Sequence, residues 1–594
     1  MVRKYVVAPH GGRGAHPDIG SALRAASARG RAARVEIAPG HYEEALAVRG
    51  DIELTALGDP GSVTVSRPRG TVLDVSGGSV VVRGLVLIGR DADAGVVDCH
   101  DGAALTLTAV AVRAHDGVCT HARPGTSLTL TDSEFRYGRA VFAGCSGHIE
   151  RCRFTDAADN AVAVIESARV TVLDSRIDGA RIHGVRVSDA RAHLAGCHVT
   201  GTGKAAVMAD TRAELTVESC TVDAVHMAGL AFVEQSRGLV RATRVTDAEN
   251  GILVASGADP LVQGGVFADC RDTGIHVQDS GRGTFEDCEI LRAGNVAVLS
   301  TRGGAPRVDG CRVRGGNVGV AVTEKARGTF TRVDVRDLTG VALRVWDESK
   351  AAFAQVQVEN CPFGLETRGN GGTTAELTDA RILDFDMAAV AAVGQSRVTL
   401  GQVRAQRGLL GFGVGEEAQL HVRDSAVSAV STGGALAFGT ARLVARGLEV
   451  TGAESYGLCA TGSAYLDVAD SRFHDCAATG LRFDETCGGR LADCAVTGAT
   501  AVAVQHNGRV KLVSLAGSLP VEEITEPAAP PTVVNHYHGP VFVEAVHNAQ
   551  LAWNNTNVVQ QRGDHGGPHG RGAPDDRGDR SGLSISSDQD GAGR

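Results

Sequence analysis

The stretches His183–Gly184–Val185–Arg186–Val187 and Asn250–Gly251–Ile252–Leu253–Val254 state a phrase that returns along most of the chain: a small residue, an apolar one, any residue, then usually another apolar one. The small residue falls at nineteen places between Gly95 and Ala501, never fewer than 21 nor more than 25 residues apart. A fixed period of that size in short alternating segments marks a solenoid of β coils, each covering the apolar face of its neighbour. A second segment of each coil reads like Leu215–Thr216–Val217–Glu218–Ser219–Cys220–Thr221–Val222. Its alternation turns Leu215, Val217, Cys220 and Val222 inward around a kink. The expectation is an all-β, right-handed parallel solenoid of about 19–20 coils with two readable strands in each, the hand following the preference of parallel crossovers. Stacked at ~4.8 Å, the marked coils make a rod roughly 85 Å long.

Bulk numbers fit that shape. Glycine at 77 of 594 residues and aromatics at 4% suit many tight corners around a thin core of small side chains. Lys and Arg total 59 against 69 Asp and Glu, so the chain is mildly acidic and no nucleic-acid partner is expected. The start, Met1–Val2–Arg3–Lys4–Tyr5–Val6–Val7–Ala8–Pro9, is too short in apolar residues for a secretory leader, and no later segment is long and apolar enough to span a bilayer. Of 14 cysteines, Cys152, Cys197, Cys220, Cys288, Cys311 and Cys494 occupy one place in their coils, taken in others by Ser133, Ser175, Ser425 and Ser471. Thiols interchangeable with hydroxyls read as a buried, reduced ladder, and no CxxC pair is present. The expected location is therefore the cytoplasm.

Residues 1–75 read as an N-terminal cap with the first coils. Pro17 suits a first helical turn, and Ile19, Leu23 and Ala26 share one face of the helix that follows. A solenoid needs such an end cover over its first core and strand edge. Helix, then Ile37–Ala38–Pro39–Gly40–His41–Tyr42, then stacked coils resembles the opening of the pectin-lyase-like right-handed parallel β-helix superfamily, and the coils resemble β-helix regions of actinobacterial type that are elsewhere joined to AAA-type ATPases. No G-x-x-x-x-G-K-[ST] loop occurs, so the resemblance implies an ATPase only as a separate partner. The helix proper is expected over residues 76–515, a Pro-rich acidic linker over 516–532, a β-prone interaction segment or cap over 533–561, and a disordered, Gly-, Asp- and Arg-rich tail over 562–594.

Many members of that superfamily are polysaccharide lyases, hydrolases or epimerases, whose chemistry needs ionisable groups crowded on adjacent coils of one outward face. Counted from the phrase, the outward position holds only four ionisable side chains besides thiols: Arg186, His276, Glu366 and Arg482, each at least four coils from the next. That row reads as non-catalytic. The second segment's outward residues, among them Arg176, His198, Glu289, Arg312, Asp334 and Gln402, read as a solvated face of cross-coil ion pairs. What remains on the first row is an apolar strip, with Ala231 and Leu253 as the candidate contact to a partner or a second copy.

The sharpest local signal is residues 548–561. Ala549, Gln550, Leu551 and Ala552 are similar to bacterial amyloid-signalling motifs related to the RIP homotypic interaction motif, with alanine where that pattern has glycine. With Trp553, Asn554 and Asn555 they form the candidate self-association site, because in-register stacking would align amide ladders and dry apolar contacts. His536 and His538 have no further ligands nearby, so neither metal nor cofactor is expected. The reading is a non-catalytic cytoplasmic scaffold or binding protein acting through protein contacts, with a pectin-lyase-like carbohydrate-active enzyme as the alternative. Whether the chain is an enzyme stays open, the residues weighing against it.

Overall fold

The computed structural model describes residues 3–8, 14–28, 30–498, 502–513, 515–516 and 521–523. The chain divides into two units, Met1–Val534 and Asn535–Arg594, and the second lies outside the described residues, as do the candidate residues 549–555. The first unit is a right-handed parallel β-solenoid of about 21 turns, slightly more than the phrase alone counts.

Most coils carry three strands rather than two, although in some they run together, as in Thr374–Ala392. In one coil the three are Glu214–Glu218, Thr221–Asp223 and Val225–Phe232. They pair in parallel with the next coil, Val217 with Val240, Val222 with Val245 and Leu230 with Ile252, so the rod has three ladders. What the sequence presents as one kinked strand is two, split where Ser219 takes φ 51°. The same corner is left-handed at Asp132, Asp174, Asp287, Asp424 and Asp470. Aspartate tolerates that region better than most side chains, which accounts for its recurrence there.

Turning the chain so sharply leaves the next N–H pointing along the rod instead of into a strand partner, and the ladder of small side chains serves it. Ser133 Oγ accepts the Val110 N–H at 3.1 Å and donates to Thr131 O at 2.7 Å. Ser175, Ser425 and Ser471 repeat the pair of bonds, and Cys311 Sγ accepts the Cys288 N–H at 3.4 Å. All 14 cysteines are free and buried. Inside, Val, Leu, Ile and Ala fill most positions, with aromatic columns where Phe135 stacks on Phe154 at 4.8 Å and Phe330 on Phe353 at 5.0 Å.

At the N-terminal end the helix Ile19–Ser27 buries Ile19, Ala22, Leu23 and Ala26 over the first turn. Pro17 precedes the helix instead of beginning it: Asp18 is the N-cap, its Oδ1 accepting the Ser21 N–H at 2.6 Å. The Glu44 carboxylate takes the Ile19 and Gly20 N–H groups at 2.9 and 2.8 Å, satisfying two more orphan donors of the first turn. At the other end Val521–Glu523 pairs with Val502–His506, so the third ladder reaches into the span read as linker.

Candidate functional site

The outward row of the third ladder differs from the row that the phrase predicts. Val97, Cys119 and Phe142 point inward, each 1% exposed or less, and Asp98, His121 and Val141 stand in the row instead. Further along, Arg344 and Leu436 replace Ala342 and Ala437. In register the row runs Asp74, Asp98, His121 at the N-terminal end, and Arg344 directly opposite Glu366 two thirds of the way along. Ionisable groups therefore do meet on adjacent coils, against the expectation that four coils separate them.

At the first of these clusters Arg123 clamps Asp98 with three hydrogen bonds, Nε to Oδ1 at 2.9 Å and to Oδ2 at 3.2 Å, and Nη2 to Oδ2 at 2.8 Å. His100 lies between two carboxylates, Nε2 at 2.9 Å from Asp74 and Nδ1 at 3.1 Å from Asp101. Burial works against its charge, but the bonds to Asp74 and Asp101 prevail and raise its pKa. His121 behaves oppositely. Burial lowers its pKa, and the opposing pulls of Asp98 and Arg123 do not restore it. Among the described residues neither of its ring nitrogens has a hydrogen-bond partner, so at neutral pH it is a free proton acceptor. Beside this cluster a groove of about 1000 Å³ runs over the corner at Asp116, Asp159, Gly179 and Gly203, and Arg139, paired with Asp159, lines it. A carboxylate clamped by an arginine, a neutral imidazole and a nearby groove are parts that general-base chemistry uses.

The second cluster joins an ion pair to a ring. Arg344 Nε lies 3.1 Å from Glu366 Oε2, and the guanidinium sits 4.3 Å from the centre of the Trp346 ring. Between the clusters the row is apolar except for Arg186, paired with Asp210 at 2.9 Å, and His276. Ala231 and Leu253 are direct neighbours across one rung, as the sequence places them, but they are only 2% and 6% exposed, packed with Met208 among Ala205, Ala228, Val233 and Ala255. The strip therefore offers a partner little accessible surface. His276, one rung beyond Leu253, and His183, 9% exposed, are held neutral by burial, each with its pKa lowered to about 4. His183 Nδ1 accepts the Ala205 N–H at 3.1 Å. The phrase His183–Gly184–Val185–Arg186–Val187 marks its small and apolar positions but carries no sign of that burial.

At the corners between strands arginines meet carboxylates 23 residues away. Arg292 grips Asp269 at 2.6 and 2.7 Å, Arg332 grips Asp309 at 2.8 and 2.7 Å, and Arg407 grips Asp384 at 2.7 and 2.6 Å. Gln402 belongs to the corner, at φ 57°, and Arg404 takes the outward place expected of it. Among the described residues no group of three or more His, Cys, Asp or Glu is arranged to hold a metal ion, and no helix is long and apolar enough to cross a membrane.

The family model described as right handed beta helix region matches residues 93–222, 205–363 and 363–514. Among solved structures, a pectin methylesterase in complex with a hexasaccharide is similar at 9% identity, over 37% of this chain and 90% of that one, TM-score 0.30. The pectate lyase Pel9A is similar at 11% identity, over 54% and 76%, TM-score 0.21. The A-module of an Azotobacter vinelandii mannuronan C-5 epimerase is similar at 14%, over 65% and 89%, TM-score 0.17. No curated protein matches the chain.

Proposed function

The chain belongs to the right handed β-helix region family, and on that premise we propose that it is a non-catalytic scaffold or binding protein. The rod presents protein-binding faces, and the segment containing Ala549, Gln550, Leu551 and Ala552 joins copies to one another. The observation that carries this reading is how outward charge is used: arginines such as Arg292, Arg332 and Arg407 are spent on carboxylates of the preceding coil, which stiffens a rod. Fourteen free, buried thiols support a reducing compartment, the cytoplasm. The partner is another protein, with a separate AAA-type ATPase as one candidate.

The test compares the full chain with a form ending at Pro531, by size exclusion with light scattering and by thioflavin fluorescence. The proposal expects assembly and thioflavin signal from the full chain only. Equal masses and no signal from either would overturn it.

One observation favours the second reading, a carbohydrate-active enzyme. Asp74, Asp98 and His121 sit on three successive coils, and Val118, on the strand of His121, lines a groove. Incubation with uronic-acid polymers, followed by reducing-end release and absorbance of unsaturated ends, addresses it. Turnover that disappears in His121→Ala with the fold intact would establish that reading over the scaffold.

A further inference from the structure

Many arginines along the rod meet a carboxylate, but on the last six coils of the first ladder only one cation does. The outward side chains there run Arg397, Gln419, Arg442, Tyr465 in one column, Thr399, His421, Val444, Asp467, Arg490, Lys511 in the next, and Arg423 beside Arg446 in the third. Six cations face one carboxylate on a chain whose net charge is −10. That carboxylate, Asp467, is taken by Arg446 at 2.8 Å. Among the described residues Arg397, Arg423, Arg442, Arg490 and Lys511 have no carboxylate partner, and all five are exposed. Arg397 reaches only Gln419 at 3.4 Å, and Arg442 lies 5.3 Å from the centre of the exposed Tyr465 ring. Asp424, Asp470 and Asp493 stand at the corner where these strands end, outside the three columns.

We propose that this face of the first ladder, from Arg397 to Lys511, docks an acidic segment of a partner protein. The chain itself shows what its arginines accept. Where a carboxylate is within reach, as at Asp269, Asp309 and Asp384, the guanidinium fork takes both oxygens. A partner's glutamates would complete the same pairing on the five cations left over. His421, in the middle of the face, adds support: burial first, and then Arg442, Arg397 and Arg423, lower its pKa, with no acidic group acting against them. The face spans five rungs, about 24 Å, which an extended segment of seven or eight residues covers. Arginines outnumber lysine five to one here, and the face carries a single exposed aromatic ring, Tyr465. That suits bidentate carboxylates better than a single-stranded nucleic acid, which is held by grooves and repeated stacking platforms.

The proposal rests on the scaffold reading only in making the partner a protein. The experiment is fluorescence anisotropy of labelled octaglutamate with the full chain, at low and at physiological salt, against labelled oligothymidylate of equal charge. Expected are binding to octaglutamate that weakens with salt, a loss of about tenfold in Arg397→Glu/Arg442→Glu, and weaker binding of oligothymidylate. Arg169→Glu, far along the same ladder, leaves the affinity unchanged, and circular dichroism confirms that each variant keeps its fold. No binding at low salt, equal binding by the double variant, or tighter binding of oligothymidylate overturns the proposal. None of these outcomes alters the comparison with the form ending at Pro531, because that truncation leaves this face whole.

Discussion

Replacing Ser425 with alanine tests the corner chemistry that lets one strand become two. In the structure Ser425 is 2% exposed, its Oγ accepts the Val403 N–H at 3.1 Å, and it donates to Arg423 O at 2.8 Å. The left-handed Gln402, φ 57°, creates the need by turning the chain out of its strand just before Val403. Alanine removes both bonds and admits no water to a site this closed, so the Val403 N–H loses its partner at a cost of about 1–3 kcal/mol. Cysteine keeps an acceptor in place, as Cys311 does for Cys288, and should cost less than about 1 kcal/mol. In a solenoid each coil contacts only its neighbours, so the loss is local and a global melting curve dilutes it. Amide exchange at Val403 reads it directly. The expected acceleration is roughly 5- to 150-fold in Ser425→Ala, with a much smaller effect in Ser425→Cys. Unchanged exchange at Val403 in the alanine variant, or a larger effect from cysteine, would refute the account of the hydroxyl ladder.

Phe330→Ala, in the column where Phe330 stacks on Phe353, should destabilise the rod by about 3–5 kcal/mol, because a rigid stack collapses poorly around a cavity; a shift of the urea midpoint checks this, and Phe353→Leu should shift it less. Acid should weaken the fold through His183 and His276. Their folded pKa is about 4 against an unfolded value near 6.5, so between those limits the unfolded chain binds protons that the folded one refuses. Stability is intact above the upper limit and falls as the pH drops through the window, by about 3 kcal/mol for each ring at its lower end. Urea midpoints at pH 7.5 and 4.5 measure the fall, and His183→Asn with His276→Asn should flatten it; an equal fall in that double variant would place the acid sensitivity elsewhere.

The period, the cap helix and the reduced thiol ladder are legible in the sequence because each rests on the size and polarity of inward side chains, which the core constrains. The three-strand coil is not, because the corner between the first two strands is left-handed at Ser219, Ala242 and Arg332 as well as at aspartates and glycines, so no residue type announces it. The outward row is legible only where one small residue marks the phrase. At Gly340 and Ala342, and again at Gly434 and Ala435, two small residues stand close together and either satisfies the pattern. Choosing the wrong one shifts the count by one or two positions. Along a strand that alternates every residue, a shift of one exchanges core for surface, and a shift of two moves a side chain into the neighbouring column. The consequence is largest where function would be sought. Counting from Gly340 puts Ala342 in the row and hides Arg344, so the Arg344–Glu366 pair disappears; counting from Gly95 puts Val97 there and hides Asp98, so the Asp74, Asp98 and His121 series disappears with it. A repeat averages well enough to give a fold from nineteen imperfect copies. A site is made by two or three side chains on particular rungs, and averaging cannot supply the register at any one of them.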